Sequence, residues 1–118
     1  MVNGINKKRL GEYKRVHKDV LPEVVKALRV AGFRNWSIYV LNDELLVSFF
    51  ELPSDTTVGE AFAKYFKIGG EAAKKWDELT RGMQKPARGL PPGSWWTSIP
   101  ECWHMDCENH DCDKDEDQ

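Results

Sequence analysis

Cysteine is scarce in this chain and confined to one end. Of 118 residues three are cysteine, Cys102, Cys107 and Cys112, all within the last 17 positions. An odd, clustered set does not make a disulfide framework, and the thiols are expected to stay reduced. Long apolar runs are also missing: none approaches the roughly 20 residues that a membrane helix needs. The opening stretch, Met1 to Lys8, has no apolar core of the signal-peptide kind, which predicts a cytoplasmic location. Nor is there an excess of positive charge. The formal net charge is −2, and no nucleic-acid surface is expected from it. Gly69-Gly70 lacks the flanking pattern of a phosphate loop, and no serine or cysteine sits in a nucleophile motif.

What is present is an ordinary globular composition, 41% hydrophobic and 31% charged. That length and balance predict one domain with a core of its own. From Leu10, stepping about 100° per residue, Tyr13, His17, Leu21, Val24, Leu28 and Ala31 return to one stripe. The spacing predicts an amphipathic helix over 10–31, kinked or split by Pro22, with Asp19 a candidate cap for its second half and Gly32 its stop. Two β-rich runs, Trp36–Leu41 and Glu44–Leu52, flank Asn42-Asp43 and predict a hairpin. Thr57–Phe66 reads as a short helix, broken at Gly69-Gly70, and Glu71–Arg81 as another. The proline- and glycine-bearing stretch Gln84–Gly93 reads as a loop. Trp95–Met105 reads as a last strand interrupted near Pro100. The expected architecture is α+β, a three-stranded antiparallel sheet with helices on one face. The only place for a further strand is the short, polar Met1–Asn6.

Three groups of residues can carry chemistry. Tyr13 and His17 lie four apart on the predicted helix, so their side chains are neighbours. A histidine exchanges protons near neutrality, and a phenol beside it can hold an oxygen or relay a proton. Such a pair also serves, in many helices, only to cap an end of the core. Five tryptophans, Trp36, Trp76, Trp95, Trp96 and Trp103, are many for this length. Indoles stack on the C–H faces of sugars, or fill a core. Third, Cys102, His104, Cys107, His110 and Cys112 place soft ligands in a short acidic segment. Their spacing fits no zinc template, so no metal site is expected.

The residues from Glu12 to His17 (EYKRVH), followed by Val20 to Glu23 (VLPE), resemble a helix of the L-rhamnose mutarotases. Gly32 to Tyr39 (GFRNWSIY) looks like that family's second strand, and Leu45 to Glu51 (LLVSFFE) like its third. Lys74-Lys75-Trp76 sits where the family has two tryptophans, and Glu101 to Met105 (ECWHM) resembles its closing strand. The likeness spans about Lys8 to Asp106. It implies a ferredoxin-like α/β sandwich with an antiparallel sheet, paired into a dimeric α/β-barrel, with the last strand often crossing to the partner. In this chain the first strand is short or missing. The domain is expected over residues 1–106, followed by an acidic disordered tail over 107–118. The resemblance also implies an isomerase that interconverts the α and β anomers of L-rhamnose by acid–base ring opening, with no cofactor and no metal. His17 would be the proton donor, with Tyr13, Trp36, Trp76 and Lys75 as contacts to a monosaccharide substrate. The expected partner is a second copy of the chain. Lys75 stands where the family often has the first of the two tryptophans, and Trp36 where a tyrosine is common. The alternative is a non-catalytic sugar-binding or interaction protein on the same barrel. Another cofactor-free enzyme, such as a monooxygenase, would also fit that fold.

Overall fold

A computed structural model describes residues 1–105. The expectations placed on 106–118, including the acidic tail with Cys107, His110 and Cys112, lie outside the described residues.

The chain runs β1 (Val2–Ile5), α1 (Leu10–Val16), α2 (Pro22–Ala31), β2 (Arg34–Leu41), β3 (Leu45–Glu51), α3 (Val58–Arg81) and β4 (Gln84–Lys85). The four strands form one antiparallel sheet in the order β2-β3-β1-β4. β1 is therefore central, and each helical stretch returns the chain across a strand that it skips. That is the ferredoxin-like arrangement of two interleaved β-α-β units. The short opening segment does form the family's first strand, so the sheet has four strands and not three. It also has a different closing member. β4 is the dipeptide Gln84–Lys85, inside the stretch read as a loop, whereas Trp95–Met105 forms no strand. Only Thr97 pairs with β1, exchanging two 2.8 Å backbone bonds with Val2. Pro100 and the prolines before Trp95 leave too few donors for a longer ladder.

Proline chemistry also sets the helix boundary. Pro22 occupies the first turn of α2, where its missing N–H costs nothing. It forces its neighbour into extended backbone, and both Val20 and Leu21 have ψ of 134°. The predicted long helix is thus two helices joined by a 3-10 turn at His17–Asp19. Leu21 is the N-cap, with no side-chain capping bond, so Asp19 does not cap α2. Gly32 ends it at φ 112°, a left-handed stop that glycine reaches without strain. At α3, Thr57 accepts from the Glu60 amide at 3.1 Å, a cap of the kind that contributes about 1 kcal/mol. As expected, two helical stretches flank the glycine pair, and α3 is broken between them at Gly70 (φ 53°, ψ −130°), a region glycine alone enters readily. In the hairpin, Asn42 and Asp43 both take positive φ, 53° and 58°, as a tight two-residue turn demands.

Strand alternation divides the sheet into two faces. Register puts Asn3, Ile5, Trp36, Ile38, Val40, Leu46, Ser48, Phe50 and Gln84 on the helix-covered face. Beneath the helices the core falls into two clusters. One holds Ile5, Leu10, Tyr13, Leu46 and Met83. The other joins Val24, Ala27 and Ala31 of α2 to Phe33 and to Ala61, Tyr65 and Ala73 of α3. Ile5, Leu46, Met83 and Val24 are fully buried, each worth roughly 1.5–3 kcal/mol of apolar transfer. The opposite face carries Tyr39, Leu41 and Phe49, each more than half exposed. Among the described residues no helix is long and apolar enough to cross a membrane.

Candidate active site

The two core clusters do not meet. Their facing sides wall a cleft of about 850 Å³, within the range of small-molecule sites. Tyr13, His17, Trp36 and Trp76 all line it, together with Trp95 and Trp96. The aromatic side is rigid. Trp36 donates from Nε1 to Ser48 Oγ at 2.6 Å. Its ring packs against Phe33 and Phe50 at centroid distances of 4.9 and 4.8 Å. With its N–H already engaged, Trp36 offers the cleft a ring face rather than a donor.

His17 follows directly on α1, one helical turn beyond Tyr13. The two rings are 4.3 Å apart between centroids, and the imidazole meets Trp76 edge-on at 5.1 Å. His17 Nδ1 lies 2.7 Å from the Tyr13 carbonyl oxygen. A carbonyl only accepts, so Nδ1 carries the proton and donates it. In the neutral ring Nε2 is then bare and basic. Burial pushes the His17 pKa below its usual 6.5, opposed in part by the bond to the Tyr13 carbonyl. The imidazole is accordingly neutral at pH 7.

The phenol of Tyr13 is oriented by a chain of polar groups that begins on the backbone. The Gly4 amide donates to Asn3 Oδ1 at 2.9 Å, and Asn3 Nδ2 donates to Gln84 Oε1 at 3.0 Å. Gln84 Nε2 is thereby turned toward Tyr13 Oη, to which it donates at a long 3.4 Å. Because an N–H can only donate, the Gly4 amide fixes the sense of the whole chain. The phenol oxygen accepts a hydrogen bond from Gln84 and keeps its own O–H free to donate. Burial raises the Tyr13 pKa above 10, with the Gln84 bond acting the other way. The phenol is a durable hydrogen-bond donor and a reluctant acid.

Lys75 stands apart from this group. It is exposed and does not line the cleft; it lines a second groove with Arg15, Asp19, Leu21 and also Trp76, which borders both. Adjacent helical residues diverge by about 100°, so with Trp76 turned to the cleft Lys75 turns away. Trp103 is 77% exposed and outside the cleft. Cys102 is an exposed free thiol, and His104 Nδ1 lies 3.4 Å from Glu101. Sequence reasoning did not single out Asn3, Gln84 or Tyr65. For Asn3 a signal existed, since it shares the buried face with Ile5 two positions on. Gln84, inside a proline- and glycine-rich stretch, gave none.

An antiparallel split-βαβ sheet whose helices stand off it around an aromatic cleft, with an imidazole and a phenol at one wall, defines a ferredoxin-like α/β protein. The family is more particular. The model of the L-rhamnose mutarotase family matches residues 1–105, and the chain belongs to that family. It is also 30% identical over 104 residues to a UPF0734 protein of Dictyostelium discoideum, across 86% of this chain and 82% of that protein.

Proposed function

We propose that the protein is a mutarotase that interconverts the α and β anomers of L-rhamnose or a related 6-deoxyhexose. The observation that carries this reading is a His17 whose Nδ1 is engaged by the Tyr13 carbonyl, leaving Nε2 as its bare nitrogen, in the lining of a tryptophan-walled cleft beside the Tyr13 phenol. Family membership supports the substrate class.

Mutarotation needs no redox change and no group transfer. The bond from C1 to the ring oxygen opens, C1 turns its other face, and the bond re-forms. His17 Nε2 takes the proton of the anomeric hydroxyl as the ring bond breaks. Tyr13 Oη holds the departing ring oxygen by a hydrogen bond while negative charge collects on it. Until that bond breaks both oxygens are attached to C1 and lie side by side, so the imidazolium can hand the same proton to the ring oxygen, which leaves as the C5 hydroxyl while C1 becomes the aldehyde. After rotation about C1–C2 the steps run backwards and His17 ends as it began. The high pKa of Tyr13 suits holding an oxygen and argues against full proton transfer from the phenol. Trp36 and Trp76 would stack on the sugar and exclude water. No cofactor enters this scheme.

The reading includes a homodimer, with the exposed apolar face of the sheet covered by a second copy, and a cytoplasmic location. It is tested by exchange NMR on the anomeric protons of L-rhamnose and L-fucose. The wild type should speed their exchange above the buffer rate, and His17→Ala should remove about 100-fold or more of that gain, the scale of general acid–base catalysis. Exchange at the buffer rate with the wild type, in the presence of sugar binding, would favour the non-catalytic sugar-binding alternative.

A further inference from the structure

One polar group among the residues that line the cleft is left over by the scheme above. Tyr65 lies on α3 before the break at Gly70 and Trp76 after it, and both residues line the cleft. Its residue is only 4% exposed and belongs to the core cluster between α2 and α3. Among the described residues its hydroxyl has no hydrogen-bond partner. A buried hydroxyl left so is costly, by about 1–3 kcal/mol, unless something from outside the fold satisfies it. The ring packs at 5.0 Å from Phe66, within the core between α2 and α3. Gly69, which sits one turn on, would place a Cβ 3.8 Å from the Tyr65 ring and 2.6 Å from Ala73 Cβ.

The hydroxyl is also held in its donor form. Burial, and then the Asp77 carboxylate, push the phenol up to about 12. Asp77 lines the same cleft and is paired with Arg81 at 3.1 Å. Tyr13 and His17 occupy the α1 wall, whereas Tyr65 belongs to the wall made by α2 and α3. Trp76 of α3 meets His17 edge-on, so a hexose with its anomeric carbon at His17 lies along α3, the helix that also carries Tyr65.

We infer that Tyr65 is a sugar-binding residue, its Oη donating to the C3 or C4 hydroxyl of the bound 6-deoxyhexose and so selecting among sugars at that carbon. The inference rests on the sugar-site reading above, but not on turnover. The cost of an unpaired buried hydroxyl in the empty protein is recovered when that hydroxyl finds the ligand, which makes it a discriminating contact.

The test is Tyr65→Phe, which removes the oxygen and keeps the ring. Binding is read by tryptophan fluorescence on titration with L-rhamnose and with its 3-deoxy and 4-deoxy analogues. Tyr65→Phe should bind L-rhamnose about tenfold more weakly, the worth of one hydrogen bond. One of the two deoxy sugars should bind wild type and variant alike, because the partner hydroxyl is gone from it. The variant should melt no lower than the wild type, since an unsatisfied group has been removed. Equal affinity of both proteins for L-rhamnose would overturn the inference, and so would the same loss on all three sugars, which marks a packing effect. Binding without accelerated anomer exchange would end the mutarotase reading and leave this one standing. No binding of any of the three to the wild type would end both.

Discussion

Among single residues, the imidazole of His17 sets what the site can do at a given pH. It must be neutral to accept the anomeric proton, and its folded pKa is lowered by burial. Catalysis should therefore rise with pH through a midpoint below 6.5 and stay level beyond pH 7, because Tyr13 ionises only above 10. A pH–rate profile of L-rhamnose anomer exchange checks this, and a midpoint above 6.5 would contradict it. The same shift bears on stability. A depressed histidine pKa means that the unfolded chain binds the proton first, so the contribution of His17 is complete above pH 6.5. It is lost as pH falls from 6.5 through the folded value. The Tyr13–His17 pair was legible in the sequence because it rests on one helical period. The groups that orient Tyr13 were not, because Asn3 and Gln84 meet only through sheet pairing across most of the chain. Lys75 shows the converse limit. Its neighbour Trp76 lines both the cleft and the groove beside it, and the turn of about 100° between adjacent helical positions leaves Lys75 in the groove alone.

Secondary-structure elements were readable wherever periodicity is local. The split of the first helix follows from Pro22, the hairpin from Asn42-Asp43, and the interruption of α3 from its glycine pair. The fourth strand was not readable. Gln84–Lys85 is too short to show a pattern and lies in a stretch dense in turn residues, while the apolar run after Trp95 imitates a strand and forms none. β4 exists because β1 leaves an edge for it and because Gly4 lets it approach. A Cβ on Gly4 would sit 2.5 Å from the Lys85 carbonyl oxygen. The break in α3 has a similar dependence on one residue. Gly70→Ala would force a side chain into φ 53°, ψ −130°, at a cost of about 1–3 kcal/mol. Chemical denaturation should show a lower midpoint for Gly70→Ala with an unchanged denaturant dependence. An equal midpoint would mean that α3 straightens without penalty.

At the scale of the whole molecule, the sheet has one face under helices and, among the described residues, nothing packed over the other. Tyr39, Leu41 and Phe49 stand on the bare face at 61%, 54% and 55% exposure, adjacent on paired strands. A contiguous apolar surface of this kind marks an interface. The proposed second copy would lie there, one sheet against the other. Light scattering on the eluting wild type should give twice the chain mass, and Phe49→Glu should shift it toward the monomer. Wild type eluting at the mass of one chain would remove the dimer.

The central position of β1 has a consequence for how the chain is made. β1 leaves the ribosome ahead of both neighbours. Its hydrogen-bond partners lie at Leu46 on one side and Gln84 on the other. Helices α1 and α2 and the hairpin can organise early from near contacts, but the sheet cannot close around Ile5 until α3 has been synthesised and the chain has come back past it. Translation thus outruns assembly for most of the domain, and the groups that hold Tyr13 in place are among the last to be joined.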